Sequence, residues 1–81
     1  MNDTVILEKL KVILREHTAI KVAITRDTAL LSQSVVDSMD FMNYLVAVET
    51  HYNITIPDEA IASRQLGIIG NMVVYIGEKI G

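Results

Sequence analysis

Residues 37–52 read Asp37-Ser38-Met39-Asp40-Phe41-Met42-Asn43-Tyr44-Leu45-Val46-Ala47-Val48-Glu49-Thr50-His51-Tyr52. Met42, Leu45, Val46, Val48, Glu49 and Tyr52 alternate between an apolar and a more polar face, which predicts a helix from Ser38 to Tyr52. Asp37 or Ser38 supplies its cap, since a short polar side chain there accepts from the unpaired N–H groups of the first turn. Toward the start of the chain, Ile6, Leu7, Leu10, Ile13 and Leu14 recur at helical steps and predict a first helix from Asp3 to His17, with Asp3 as its cap. Toward the end, Asn53 to Pro57 alternates like a short extended piece. Pro57 then fits the first turn of a short third helix, whose Asp58 and Glu59 suit a helix N-terminus. Leu66, Ile69, Val73, Ile76 and Ile80 form the seam of a last helix. Gly67 and Gly70 would each cost about 1 kcal/mol inside it, so its start is set near Ile68.

Two stretches between the first two helices lack that period. Thr18 to Thr25 is rich in β-branched residues but has no obvious pairing partner, and is read as loop. Arg26 to Asp37 passes through Asp27-Thr28, Leu30-Leu31 and Ser32-Gln33-Ser34, whose small polar side chains favour irregular backbone. Leu30 and Leu31 must pin a connection of that length to the core. The predicted fold is all-α: a four-helix bundle with a short third helix and a long loop between the first and second helices.

Composition fits that plan. Eighty-one residues, 51% of them hydrophobic, support a single domain over residues 1–81. The core must come from aliphatic side chains, for the chain has eleven Ile, nine Val and seven Leu against one Phe, three Tyr and no Trp. That leaves no aromatic platform for nucleic acid. Without cysteine there are no disulfides or thiolate metal sites. The longest apolar runs are five residues, Tyr44 to Val48 and Met72 to Ile76, far short of the roughly 18–20 that span a membrane, so no membrane insertion is expected. Met1-Asn2-Asp3-Thr4 carries no basic leader, and the chain is read as a cytoplasmic monomer.

The net charge of −3 is unevenly placed: residues 1–26 hold five cations against three anions (+2), residues 27–81 two against seven (−5). The acidic part should repel phosphate backbones and attract basic protein surfaces. Catalytic sets are nearly absent. Ser38 and His51, thirteen residues apart on one helix, lie ~220° around and about 20 Å along its axis, so they cannot form a dyad. His17 and His51 are read as plain surface residues. Asp37 and Asp40 make at most a weak Mg²⁺ site, and a capping and solvated role accounts for them. Gly67-Ile68-Ile69-Gly70 has neither the spacing nor the Lys of a phosphate loop.

Asp37-Ser38-Met39-Asp40 resembles the hallmark of the acyl carrier protein family, Asp-Ser-Leu-Asp/Glu at the start of the second helix. The flanks agree in order and spacing. Asp27-Thr28-Ala29-Leu30-Leu31 looks like the family's loop segment, Tyr52 falls where it has an aromatic, and Ile54-Thr55-Ile56-Pro57-Asp58-Glu59 is similar to its passage into the third helix. Val73-Val74-Tyr75-Ile76 resembles the end of its fourth. The resemblance implies that Ser38 is the attachment point of covalent 4′-phosphopantetheine, donated from coenzyme A by a separate Mg²⁺-dependent phosphopantetheinyl transferase. It also implies that the chain is a carrier and substrate of enzymes rather than an enzyme, bearing acyl groups as thioesters. Asp37, Asp40 and Glu49 match the family's recognition surface, with Asp58 and Glu59 nearby, and would meet loading, synthase or transferase enzymes through basic docking surfaces. Met39 matches the apolar residue after the family's serine and should be partly exposed. Met42, Val46, Ile61 and Ile69 are read as core, and the resemblance implies as an alternative that some of them also line a cleft for the cargo.

Departures from the family pattern narrow the expectation. Val35-Val36-Asp37-Ser38 lacks the usual glycine, Asn43 and Thr50 stand where fatty-acid carriers often have Glu, and Phe41 holds a place expected to face solvent. The stretch from Pro57 to Leu66 runs about two residues longer than in that type. A specialised stand-alone carrier, in fatty-acid-like, polyketide or other biosynthesis, fits better than the housekeeping fatty-acid protein. The alternatives are an unmodified helical interaction module in which Ser38 only caps, and a peptidyl or aminoacyl carrier, disfavoured because that family usually has Gly-Gly-x-Ser.

Overall fold

A computed structural model describes residues 2–18, 20, 22–63 and 65–80; Met1, Ala19, Lys21, Arg64 and Gly81 lie outside the described residues. The first helix, α1, spans Asp3–His17 as its period predicts. Its cap is Asn2 rather than Asp3: the Asn2 side chain accepts from the Thr4 N–H at 2.7 Å, and its carbonyl from Ile6 at 3.1 Å. Asp3 then sits in the first turn, where its charge suits the positive helix end. Ile6, Leu10, Ile13 and Leu14 are buried. Thr18 closes the helix, its N–H and hydroxyl both donating to the Leu14 carbonyl.

The described residues of Thr18 to Thr25 form neither helix nor strand, as expected. The stretch after them is ordered by its own backbone. Thr28 is buried and its hydroxyl accepts from the Thr25 N–H at 2.9 Å. Leu30 is fully buried, Leu31 half so, and Val36 adds a third anchor. Between them the chain makes a helical turn closed by Ser34 in the left-handed region (φ 56°), with Val35 donating to the Leu30 carbonyl and Ser34 to that of Leu31. Those are the two bonds of a Schellman closure, with serine where glycine is usual.

Helix α2 spans Ser38–Tyr52, capped by Asp37, whose carboxylate accepts from the Asp40 N–H at 2.8 Å. It ends at Asn53 in the left-handed conformation. Phe41, Tyr44, Leu45 and Val48 face the core. This corrects three expectations. Phe41 is only 4% exposed, while Met42 and Val46 are 46% and 57% exposed. Position 41 shares the helical stripe of 44, 45 and 48. Its ring lies against Gly67, where a side-chain Cβ would stand at an ordinary contact distance of 3.9 Å from the phenyl edge. Met42 and Val46 fall on the neighbouring stripe. Ile61 is half-buried and Ile69 fully buried, in line with a core role.

Helix α3 covers only Asp58–Ala62 and buries none of its residues completely. Pro57 stands at the cap position, one place before the first turn that its residue type predicts; its carbonyl accepts from Ala60 and Ile61. A 3₁₀ turn, Gln65–Gly67, leads into α4, Ile69–Ile80, which begins one residue after the predicted start. The long loop caps α4 with its backbone: Ile69 donates to the Thr28 carbonyl at 3.0 Å and Gly70 to that of Arg26 at 2.8 Å. A Cβ at position 70 would lie 3.0 Å from the Arg26 oxygen, so this glycine permits the close approach. Leu30 donates back to the Gly67 carbonyl, completing a one-pair bridge between Ala29 and Ile68.

The fold is therefore an all-α bundle of four helices, with no strand among the described residues. Helix α1 packs on both α2 and α4, and Ile6, Leu10, Leu14, Tyr44, Leu45, Val48, Met72, Val73 and Ile76 meet in one core. The loop anchors Leu30 and Val36 fix where α2 begins, and with it the position of Ser38.

Candidate functional site

Ser38 is the first residue of α2 and is exposed. The Asp37 carboxylate holds the Asp40 N–H and the Asp37 carbonyl holds that of Phe41. The N–H groups of Ser38 and Met39 have no partner among the described residues. Unpaired N–H groups and the positive helix end favour an anion at that point. Beside Ser38 lies an open depression of about 420 Å³ walled by Leu31, Ser34, Val35 and Val36 from the loop and by Asp37 and Asp40 from the helix start. A phosphodiester on the Ser38 oxygen fits this donor set, with the Ser34 side chain at the depression's wall.

The predicted recognition residues separate into groups. Asp37, Met39 and Asp40 are contiguous with Ser38, and Met39 is 74% exposed, as expected of it. Glu49 is eleven residues further along, roughly 17 Å up the axis. Its carboxylate is half-buried and accepts from the Ile56 N–H at 2.8 Å, tying the segment after α2 back onto that helix. Asp58 and Glu59 are exposed in the first turn of α3 and do not line the Ser38 depression.

Sequence reasoning placed Met39 on this surface but missed its apolar continuation through Met42 and Val46. Met39, Met42 and Val46 succeed one another at steps of three and four, so their exposure makes a continuous apolar stripe running from Ser38 up α2. The spacing from Met39 is the signal that could have revealed it.

The rest of the surface offers less chemistry. His17 and His51 are both exposed, as read from the sequence, and border an open groove of about 480 Å³ between α1 and α2. The His51 ring packs edge-on against Tyr52, with centroids 4.8 Å apart. Among the described residues no three His, Asp or Glu side chains converge to hold a metal ion, and no helix is long and apolar enough to cross a membrane.

No family model matches the chain, and no solved structure does. It is similar to an acyl carrier protein of Guillardia theta, with 31% identity over 81 residues that take in 99% of this chain and 98% of that protein.

Proposed function

Because the chain belongs to the acyl carrier protein family, we propose that Ser38 bears 4′-phosphopantetheine and that the protein carries acyl intermediates between partner enzymes. The observation that carries the reading is an exposed serine at the N-terminus of α2 beside two unpaired N–H groups. The Ser38 hydroxyl oxygen attacks the β-phosphate of coenzyme A inside a separate transferase. Its proton passes to a base of that enzyme and the nucleotide leaves. The chain's own part is to present the hydroxyl at a junction a partner can reach and to stabilise the resulting phosphodiester through the Ser38 and Met39 N–H groups and the helix end. The bound arm supplies a terminal thiol for thioester formation, which a cysteine-free chain cannot.

Partners meet the Met39-Met42-Val46 stripe, with Asp37 and Asp40 at its Ser38 end. Methionines suit a surface that must adapt to several enzymes. With Asn43 and Thr50 uncharged and the Glu49 carboxylate occupied within the chain, α2 presents little acidic surface. That favours a specialised carrier over a housekeeping fatty-acid carrier.

Co-expression with a broad-specificity phosphopantetheinyl transferase should add one phosphopantetheine mass to the intact protein, and Ser38→Ala should abolish the gain while circular dichroism stays helical. No gain under conditions that modify a control carrier would leave Ser38 as a cap and the chain as an unmodified interaction module.

A further inference from the structure

The chain has no cysteine, so all of its sulfur sits in four methionine thioethers. Met1 lies outside the described residues, and Met72 is completely buried on the inner face of α4. The other two, Met39 and Met42, are exposed and stand within about one turn of Ser38. That placement is selective. Ile, Val and Leu far outnumber Met in this chain, and every other large apolar side chain exposed among the described residues is Val or Ile. A leucine at position 39 or 42 would offer a partner much the same apolar contact. It would not offer a sulfur that oxidants attack.

The two thioethers are neighbours on one helix face, three residues apart, and Met42 lies about 6 Å along the axis from Ser38. Hydrogen peroxide transfers one oxygen atom to such a sulfur: the O–O bond breaks, an S–O bond forms, the sulfur is oxidised by two electrons and water leaves. The reverse step consumes one dithiol per sulfoxide. A sulfoxide reductase returns the thioether, the oxygen departs as water and the dithiol becomes a disulfide.

The consequence differs between the free and the docked protein. At an exposed position the sulfoxide oxygen keeps its hydration, and the core around the shielded Met72 is untouched. Against an apolar partner surface the same oxygen loses water without gaining a donor, so the cost falls on the docked state alone.

We propose that Met39 and Met42 are a reversible oxidation site, at which a hydroperoxide converts both thioethers to sulfoxides and switches off partner docking beside Ser38. This rests on the carrier function and the docking stripe proposed above.

The test treats the full-length protein, before phosphopantetheine is attached, with hydrogen peroxide. Catalase removes the peroxide before any other enzyme is added, and peptide mass spectrometry locates the oxygens gained. Met39 and Met42 should each gain one while Met72 stays unmodified and the circular dichroism stays helical. The initial rate of phosphopantetheine transfer to Ser38 should then fall about tenfold, within what one stranded polar group costs. Treatment with sulfoxide reductases for both epimers and dithiothreitol should restore it. In the double variant Met39→Leu, Met42→Leu the rates before and after peroxide should equal each other, whatever their absolute value. An unchanged rate in the doubly oxidised protein overturns the inference and leaves the two methionines as adaptable contacts. Oxidation no faster at Met39 and Met42 than at Met72, or a loss of rate that persists in the leucine variant, overturns it as well. Absence of any phosphopantetheine mass gain in the untreated protein, where a control carrier is modified, overturns the carrier function and this inference with it.

Discussion

Tyr44 shows what one buried hydroxyl does to the whole chain's response to pH. Burial first, and then Tyr52, hold its phenol neutral well above the usual range, and burial raises Tyr52 as well. In the unfolded chain both titrate near 10, roughly. Below that pH neither state loses the phenolic protons, and these groups contribute no pH dependence. Above it the unfolded chain releases protons that the folded chain keeps, so stability falls as pH rises. The urea midpoint should therefore decline from about pH 10 upward, and Tyr44→Phe should flatten that decline while leaving neutral-pH stability equal or higher. Identical alkaline declines in the two proteins would show that Tyr44 does not govern this limb. At the same scale, the sequence places the caps only to within a residue. Asn2 and Asp3 are both short acceptors, and only the extended backbone at Asn2 decides which one caps α1. The burial of Phe41 escapes a reading by spacing because positions 41 and 42 both fall at helical steps from Leu45, and only packing decides which of the two stripes turns inward.

Among the elements, α1 and α2 are legible end to end, because steps of three and four coincide with good caps. The start of α4 is less so. Its first N–H groups are satisfied by the Arg26 and Thr28 carbonyls, and a backbone cap leaves no side-chain signature. Nor does spacing reveal that Glu49 fastens α2 to the segment leading into α3 by accepting from Ile56. That bond has a measurable consequence. Glu49→Ala strips the Ile56 N–H of its acceptor and should cost about 1–2 kcal/mol, with faster amide exchange at Ile56 and its neighbours. Glu49→Gln keeps an acceptor oxygen and should lose less. Unchanged Ile56 protection in Glu49→Ala would mean that the buried Ile56 side chain alone holds the segment.

For the whole molecule, the charge asymmetry and the exposed stripe on α2 combine into one docking argument. The first 26 residues carry +2 and the remainder −5, so a basic partner is drawn to the half of the chain that holds Ser38. The Asp37-Ser38-Met39-Asp40 tetrapeptide is readable as a candidate site from its residue types. The apolar stripe beside it is not, because Met42 and Val46 also match a core pattern and only packing shows which face α2 turns inward. Charge and stripe should separate experimentally. Attraction between exposed charges fades as the screening length drops from about 10 Å at 0.1 M salt to about 3 Å at 1 M, whereas apolar contact does not. Asp40→Lys should thus slow phosphopantetheine transfer several-fold at low salt, with the gap to wild type closing as salt rises. Met42→Ser with Val46→Ser should slow it by a similar factor at every salt concentration, both side chains being exposed enough for the fold to persist. Initial transfer rates from low salt to about 1 M, with helicity checked alongside, distinguish the two effects. Wild-type rates for Asp40→Lys at low salt would remove its carboxylate from the docking surface, and a salt-dependent defect in the serine double variant would mean that the stripe acts through its acidic neighbours rather than by apolar contact.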